Sequence, residues 1–582
     1  MPVKLAQYGT FEDMHGHKSN LAELIDRVKP FSRESVIYWC AVIGMILKTW
    51  QRGEWDQTHY DYVVSQSFDS LRGDWYRASA RTANPELVFH RRQLLLLMKI
   101  AVEHCPEKGI ELESVPRHVL GTLLLMANDQ FHHGLYPSDD AQGGEEDKLT
   151  RVLAELIPVT EYGGSKVENV IARSHLMMTR YAKELTVHPD YIDVSAEYEN
   201  QTGISLNDYE ALAFALFARC SSVTLDGLRR NAWLAAVRSQ NFETTGVNND
   251  LINRFLEEFS DDAEGFKNRI LKGKQKHKDF GANDLTIFRE KPLIVERHGL
   301  LPTDLIFIAE KFASGPYWRL NSINKEFGDR LRRFWGAVFE AYVNDQVAAA
   351  AKLSGATFIP NPHLDSDPNA EICDGLLIEG DALVLLEYKS CMFTAHAKYA
   401  GDHLLLSEEI KKKLVRDDSE NKKKGVEQLA MAVQHLCLNT EKIVIADRCL
   451  ADIKRVYPLL VTLDDVGGTL LISRLLNLHF DQFVNRSEFA KIIVNPMVCT
   501  DIESLETVLS FADVHTLSSS LQYWINQDPK LTWTLSAFMP EGMPKRRNEL
   551  LFAEWQRLFD AIGARLFPSE HAIAKARTDN GS

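Results

Sequence analysis

The sequence predicts a multidomain protein of α and α/β architecture. It has a mostly helical region at residues 1–285, an α/β domain at 286–520 and a helical extension at 521–582. Length is the first reason, because 582 residues exceed what one hydrophobic core usually serves and suit about three to four domains. The second reason is the helical spacing of apolar residues in the first region. The third is a pair of strands at 371–390, which predicts the sheet.

Four segments of the first region have the sequence signals of helices. Three of them carry apolar residues at helical spacing, at Phe31–Trp50, His90–His104 and Val115–Phe131. The fourth begins at Ser205-Leu-Asn-Asp208, an acidic variant of the capping box, and runs to Arg219. This region has no cluster of acidic residues with a lysine that would suggest a catalytic site. We therefore expect it to have a recognition or regulatory role, or to contact a partner protein.

The segment 371–390 predicts two antiparallel strands joined by a tight turn. Asp374 opens the first strand, which continues through Leu376–Ile378. Glu379-Gly380-Asp381 supplies the turn, because glycine adopts positive φ without steric cost. The second strand, Ala382–Lys389, is apolar on both faces as far as Leu386, which is typical of a strand buried on both sides.

The second strand ends in charge, as Glu387-Tyr388-Lys389. Successive side chains of a strand point to opposite faces, so Glu387 and Lys389 share one face and Tyr388 lies on the other. Asp374, on the neighbouring strand, can reach the face of Glu387. Two carboxylates at the edge of a dry sheet repel each other unless a cation lies between them, and oxygen ligands suit Mg²⁺ or Mn²⁺. A lysine beside them can orient or deprotonate a metal-bound water, which is the chemistry of phosphodiester hydrolysis.

Asp374 and Glu387-Tyr388-Lys389, with twelve residues between them, resemble the D…(D/E)-x-K signature of the PD-(D/E)XK nuclease superfamily. Cys373 stands where the family often has proline. The resemblance implies a restriction-endonuclease-like fold and one or two Mg²⁺ ions, or Mn²⁺. The ligands would be Asp374, Glu387 and the backbone carbonyl of Tyr388, and Lys389 would position the attacking water.

Helices on both sides of the hairpin extend the resemblance. Arg330–Val343 has an aromatic stripe at helical spacing, and Glu340 matches an additional acidic metal ligand that many family members carry on this helix. Lys424–Leu436 is the predicted helix after the second strand. Gln428 matches the family's Gln or Lys that faces the metal or the nucleic-acid backbone.

Two further strands, Lys442–Ala446 and Val456–Thr462, give the order hairpin, helix, strand, strand that the family's core has. The resemblance therefore covers roughly a third of the chain. Before it, Asp284–Glu296 predicts a short hairpin or an extended segment. After it, Val508–Trp524 and Glu549–Leu566 predict helices.

Each of these residues also has a plainer interpretation. Glu387 and Lys389 could be a surface ion pair at a strand end, and Asp374 could simply begin a turn. Glu340 could be a solvated helix residue, and so could Gln428. The basic clusters at 272–278 and 411–424 could contact phosphates or could be solvated loops. The alternative function is therefore a non-catalytic protein that binds or senses nucleic acid through a degenerate nuclease fold.

The net charge of −15 argues against a protein that coats nucleic acid broadly, but it permits a local basic channel. The expected partner is nucleic acid, DNA rather than RNA, because the resembled superfamily mostly cleaves DNA. A homo-oligomer or a partner protein held by the helical region is also expected. The combination of a nuclease with a large helical region resembles prokaryotic defence nucleases that act on foreign DNA, by analogy of architecture.

The cysteines, the apolar runs and the first residues of the sequence indicate the cellular compartment in which the protein works. The eight cysteines form no C-x-x-C pair, so neither a zinc site nor a disulfide framework is suggested. No apolar run approaches the ~18 residues that span a bilayer, and the first residues lack the apolar core of a signal peptide. We expect a cytoplasmic protein that does not enter membranes.

Overall fold

The computed structural model describes residues 7–48, 56–82, 86–131, 143–161, 167–276, 281–364, 367–437, 444–445, 448–489, 491–538 and 546–566. All structural statements concern these residues. They form a mixed α/β protein whose first part is mostly helical, as predicted. None of their helices is long and apolar enough to cross a membrane.

The helices before residue 291 are α1 (Phe11–His15), α2 (Leu21–Val28), α3 (Arg33–Leu47), α4 (Gln57–Ser67), α5 (Ser70–Ser79), α6 (Arg91–His104), α7 (His118–Asp129), α8 (Glu145–Glu161), α9 (Val167–Leu176), α10 (Ala182–Glu184), α11 (Val194–Thr202), α12 (Leu206–Ser221), α13 (Leu225–Arg230), α14 (Asn249–Phe259), α15 (Ala263–Lys276) and α16 (Thr286–Glu290). The four predicted helices are confirmed as α3, α6, α7 and α12. Polar caps set their starts: the Ser32 side chain accepts a hydrogen bond from Ser35 N, and Ser205 accepts one from Asp208 N.

The later helices are α17 (Leu305–Asn321), α18 (Lys325–Ser354), α19 (Ala395–Tyr399), α20 (His403–Ile410), α21 (Gly425–Cys437), α22 (Ile472–Phe483), α23 (Ile502–Leu509), α24 (Leu517–Gln527) and α25 (Glu549–Leu566). The strands are β1 (Gln7–Tyr8), β2 (Glu86–Leu87), β3 (Ser260–Asp261), β4 (Leu293–Glu296), β5 (Gly299–Pro302), β6 (Thr357–Pro360), β7 (His363–Leu364), β8 (Asp367–Glu371), β9 (Gly375–Glu379), β10 (Ala382–Lys389), β11 (Arg416–Asp417), β12 (Lys422–Lys423), β13 (Val444–Ile445), β14 (Arg448–Cys449), β15 (Arg455–Thr462), β16 (Ile493–Val494) and β17 (Val498–Asp501).

The central sheet has the order β16-β15-β10-β9-β6. Strand β17 also pairs with β15, through the later residues Leu459–Thr462, whereas β16 pairs with its first two residues. Strands β6, β9 and β10 are antiparallel neighbours, whereas β10 and β15 are parallel, with Glu387 opposite Leu460. The β9–β10 turn contains Gly380 at φ 64°, so the predicted hairpin is confirmed. Parallel strands need a crossover, and α21 lies in the connection between β10 and β15.

Apolar side chains cover both faces of β10, as its sequence predicts. Val384 and Leu386 belong to the largest hydrophobic cluster, to which α18 and helices of the first region contribute. Leu383 and Leu385 face a second cluster, which contains residues of α8, α21 and α22. Leu385 is fully buried, so Leu385→Ala would cost about 2–5 kcal/mol of stability through lost burial and a cavity.

The largest hydrophobic cluster contains residues from both sides of positions 285 and 520. Leu212 of α12, Leu320 of α17 and Leu558 of α25 all belong to it. Helix α8, from the first region, packs instead in the second cluster through Leu153. The domain boundaries stay predictions, and residues 539–545 and 567–582 of the extension lie outside the described residues.

Several sequence expectations were wrong in part. Asp284–Glu296 is not one extended segment, because Thr286–Glu290 forms a helical turn, with the Thr286 N–H donating to Asp284 Oδ1, and only Leu293–Glu296 is a strand. Val508–Trp524 is not one helix, since α23 ends at Leu509 and Thr516 caps α24 by accepting from Ser519 N.

Two other predicted segments differ as well. Of Lys442–Ala446, the described Val444–Ile445 pairs with β14 in a separate two-stranded sheet and does not extend the central one; 442–443 and 446 lie outside the described residues. The basic cluster at 272–278, for which a solvated loop was one interpretation, continues α15 as far as Lys276, and 277–278 lie outside the described residues.

Candidate active site

The charged end of β10 lies in the interior of the protein. Because side chains alternate, Glu387 shares the face of Leu385, which α21 covers, and its side chain is 1% exposed. The Lys389 Nζ lies 2.6 Å from Glu387 Oε1, and the Lys389 side chain is 18% exposed. These residues are therefore not the surface ion pair that the plainer interpretation allowed.

The two oxygens of Glu387 differ in their hydrogen bonds to the described residues. Oε2 is buried and has no hydrogen bond among the described residues, whereas Oε1 accepts from Lys389. A buried, unsatisfied carboxylate oxygen costs about 1–3 kcal/mol or more, so such atoms are uncommon where a side chain has only a structural role. The orphaned oxygen marks Glu387 as a group that can take a further ligand.

Asp374 lies immediately before β9 and faces the end of β10. Its Oδ2 accepts a hydrogen bond from Tyr388 N at 2.6 Å. The glycine that follows, Gly375, leaves room for the Tyr388 side chain, since a Cβ there would lie 2.7 Å from the Tyr388 hydroxyl oxygen. The structure thus brings Asp374 together with Glu387 and Lys389, as predicted.

Glu340 reaches the same place from α18. One turn earlier, a Cβ on Gly336 would lie 3.6 Å from Ser390 Oγ, so this face of the helix passes the end of β10. Burial raises the pKa of Glu340; the hydrogen bond from Asn361 opposes the rise, and the negative charges of Asp374 and Glu371 add to it. Glu340 is therefore half-buried beside the site and is not a freely solvated helix residue.

Sequence reasoning missed Asn361 and Glu371. Asn361 has φ 46°, and its Nδ2 donates to Glu340 Oε1 at 2.5 Å and to Glu371 Oε1 at 3.3 Å. Its backbone N donates to the Asp374 carbonyl at 3.0 Å, so it contacts three acidic residues. The available signal was Pro360-Asn361-Pro362, a turn sequence around a residue type that tolerates left-handed φ.

The carboxylates of the site and Lys389 influence one another's pKa values. Burial raises the pKa of Glu387 to about 7; Lys389 opposes the rise, and the charges of Asp374 and Glu371 add to it. Burial also raises the pKa of Asp374, against the charge of Lys389. Burial alone would lower the pKa of Lys389, but Glu387 and Asp374 outweigh it and raise that pKa, so Lys389 keeps its proton. One ammonium group faces an excess of carboxyl groups, which favours a second cation.

The fit to a metal ion is partial. Among the described residues, no three His, Cys, Asp or Glu side chains converge closely enough to hold a metal. At the site, Lys389 pairs with Glu387, and Asp374 accepts a hydrogen bond from the N–H of Tyr388. The donor chemistry does fit a hard divalent cation, since the available atoms are carboxylate oxygens and Glu387 Oε2 lacks a partner.

Gln428 and the Tyr388 carbonyl stay predictions. Gln428 is half-buried on α21, one turn after Gly425, where a Cβ would lie 3.4 Å from Lys389 Cε. Its side chain makes no hydrogen bond to the site among the described residues, while its backbone N bonds the Lys424 carbonyl. The Tyr388 side chain is buried on the opposite face of β10, so only its backbone can serve as a ligand.

Comparison with protein-family models, with curated proteins and with solved structures finds no match for this chain.

Proposed function

We propose that this protein is a metal-dependent nuclease that hydrolyses phosphodiester bonds, with DNA as its substrate and a PD-(D/E)XK core. The observation that carries the proposal is the end of β10. A buried glutamate with one oxygen that has no hydrogen bond among the described residues, a lysine paired with its other oxygen and an aspartate just before the neighbouring strand meet there. In the buried Arg173–Glu506 pair, by contrast, both carboxylate oxygens accept hydrogen bonds.

The order of elements supports the same proposal. The long helix α18 precedes the antiparallel strands β6, β9 and β10, and α21 then leads to the parallel strand β15. The resemblance in the sequence implies a hairpin, a helix and then two strands; of these two, β15 joins the central sheet and the described part of the other does not. Glu340 on α18 and the first turn of α21 both lie at the end of β10 that carries Glu387 and Lys389.

Each residue would have a distinct role. Asp374, Glu387 and the Tyr388 carbonyl would hold Mg²⁺ or Mn²⁺, with Glu340 as an additional acidic group. When bound, such a cation supplies an activated water and neutralises charge on the phosphate. Lys389 remains protonated between carboxylates, so its ammonium can stabilise the charge that develops on the phosphate. Asn361 holds Glu340 and Glu371 at the edge of the site.

A second candidate function is a protein that binds or senses nucleic acid without cutting it. The Lys389–Glu387 ion pair favours it, because this pair occupies the place where a cation would bind and no three-ligand metal group is formed among the described residues. In that case the lysine would be the permanent counter-ion of a degenerate site. Defence against foreign DNA is the setting we propose for either function, by analogy of architecture.

The two candidates are separated by one cleavage assay. The whole protein is incubated with circular DNA, linear DNA and RNA in Mg²⁺, Mn²⁺, Ca²⁺ or excess EDTA. We expect cutting in Mg²⁺ or Mn²⁺, little in Ca²⁺ and none in EDTA, because the looser geometry of Ca²⁺ positions water poorly.

Glu387→Gln should abolish cutting, whereas Glu408→Gln, the same change at an exposed position of α20, should not alter it. Cutting by Glu387→Gln at the rate of the original protein would refute the proposed site. Binding without cutting in every metal would favour the second candidate.

A further inference from the structure

The segment 411–424 concentrates positive charge in an acidic protein. It contains seven basic and three acidic side chains, a net charge of +4, although the whole chain carries −15. It folds into a helical turn, Lys411–Val415, followed by the hairpin of β11 and β12. The segment therefore has a fixed shape and is not the solvated loop that its composition also allowed.

Ion pairs neutralise part of this charge but leave three lysines over. Lys411 pairs with Glu146, Lys413 with Glu409, and Lys422 with Glu420. Among the described residues, Lys412, Lys423 and Lys424 have no carboxylate within ion-pair distance, and we call these three residues the lysine surface. Lys412 and Lys423 are exposed, and Lys424 is half-buried.

Arg416 fixes the hairpin on α21. Its guanidinium donates to Glu427 Oε1 at 2.9 Å and to Asn421 Oδ1 at 2.7 Å, and Asn421 turns the chain at φ 50°. The pKa of Asp417 is lowered chiefly by its hydrogen bond with Ser419, and the charges of Lys412 and Lys424 lower it further. The two lysines therefore lie near one carboxylate, although they are twelve positions apart in the sequence. A surface held in this way loses little conformational entropy when it binds a ligand.

The lysine surface adjoins the candidate active site. Lys424 directly precedes Gly425, where a Cβ would lie 3.4 Å from Lys389 Cε. That Cβ would also lie 2.5 Å from Leu460 Cδ1, so glycine is what lets the start of α21 pack this closely on β15. The start of α21 therefore places Lys424 next to the part of β10 that carries Lys389.

We infer that Lys412, Lys423 and Lys424 bind the phosphate backbone of double-stranded DNA and hold it at the end of β10. Lysine is a point charge that suits phosphate without reading sequence. Duplex DNA presents about one charge per 1.7 Å of axis, so several phosphates can meet one small hairpin. The inference rests on the proposed function, because it names the surface through which that site would receive its substrate.

The test measures binding of fluorescent duplex DNA to the whole protein by anisotropy in Ca²⁺ buffer across a salt series. The triple variant Lys412→Gln, Lys423→Gln, Lys424→Gln should bind at least about tenfold more weakly at low salt. The slope of log K against log salt should become shallower by about 2.7, since each phosphate contact contributes about 0.9. Circular dichroism should show an unchanged fold, because two of these side chains are exposed and none forms an ion pair among the described residues.

The matched control is the triple variant Lys411→Gln, Lys413→Gln, Lys422→Gln, which removes the same formal charge from lysines that are already paired. Its slope should change by less than about 1. An equal loss in both triple variants would show a general charge effect and overturn the inference. Unchanged binding by the first variant, or binding of an RNA of equal length in preference to DNA, would overturn it too.

These outcomes separate the lysine surface from the catalytic proposal. Lysine-dependent binding without cutting in Mg²⁺ would sustain the surface and refute the nuclease. Cutting in Mg²⁺, together with DNA binding that does not depend on the three lysines, would support the proposed nuclease function and refute DNA binding by the lysine surface.

Discussion

Glu506 and Glu387 are both buried glutamates paired with a basic residue, but their carboxylates accept different numbers of hydrogen bonds. Arg173 Nη1 donates to both oxygens of Glu506 at 2.7 Å, and the Tyr342 hydroxyl donates to Oε1 at 2.6 Å. Glu387 receives one hydrogen bond, from Lys389, and its Oε2 has no partner among the described residues. The first pair is complete without a ligand, while the second lacks one donor.

The two pairs also differ in what they join. Arg173 lies on α9 and Glu506 on α23, so that pair ties the helical region to the helix that follows the central sheet. Tyr342 lies on α18, two residues after Glu340. Glu387 and Lys389 lie on one strand and join nothing distant. The comparison teaches that the satisfied pair joins distant elements, whereas the pair at the strand end leaves a carboxylate oxygen that can accept a further ligand.

The largest expected effect is on stability, at the complete pair. Arg173→Met leaves Glu506 buried without its cation, which should lower the free energy of unfolding by about 3–5 kcal/mol. Chemical denaturation measures the loss. Arg333→Met, which breaks an exposed pair with Asp190, is the control and should change stability little. An equal small effect of both variants would contradict the structural role of Arg173.

The second effect is on cleavage, at the incomplete pair. Lys389→Gln removes the ammonium that we propose stabilises the reacting phosphate, and should slow DNA cutting by about 10²–10³-fold. Single-turnover cleavage in Mg²⁺ measures this rate. Circular dichroism should show the fold retained. A rate within about threefold of the original would remove Lys389 from the mechanism.

The third effect is stabilisation by the cation itself. A cation at a concentration of 100 times its Kd should raise the free energy of unfolding by about 2.7 kcal/mol, and Glu387→Gln should lose this gain. The pKa of Glu387 is raised to about 7, so the proton that competes with the cation leaves as the pH rises through that value. Thermal unfolding with and without Mg²⁺ at pH 6 and pH 8 should therefore show the larger gain at pH 8. An equal gain in the variant would place the cation elsewhere.

The smallest effect concerns Asn361, which positions the acidic edge of the site. Asn361→Ala removes the amide that holds Glu340 and Glu371, and should weaken Mg²⁺ activation by about 10–100-fold. A Mg²⁺ titration of the cleavage rate should show a higher half-saturating concentration and a nearly unchanged maximal rate. Asn344→Ala removes a longer hydrogen bond to Asn361 Oδ1, of 3.4 Å, and should have a smaller effect. A lower maximal rate at the same half-saturation would contradict a positioning role.

The sequence by itself determined those elements whose signals are local. It predicted β10 as Ala382–Lys389 and α25 as Glu549–Leu566 with the bounds that the structure has. Strand alternation then put Glu387 and Lys389 on one face, and the turn at Gly380 brought Asp374 to the neighbouring strand. A few residues of pattern were sufficient, because side-chain direction and turn geometry depend on the backbone nearby.

Tertiary structure alone decided contacts between residues far apart in the chain. It brought Asn361 and Glu371 to Glu340, paired Arg173 with Glu506 and tied Lys411 to Glu146 of α8. It also kept β13 out of the central sheet, although its apolar sequence resembles a core strand. No local period encodes which helix or strand becomes a neighbour, because that choice depends on how all the apolar faces are buried together.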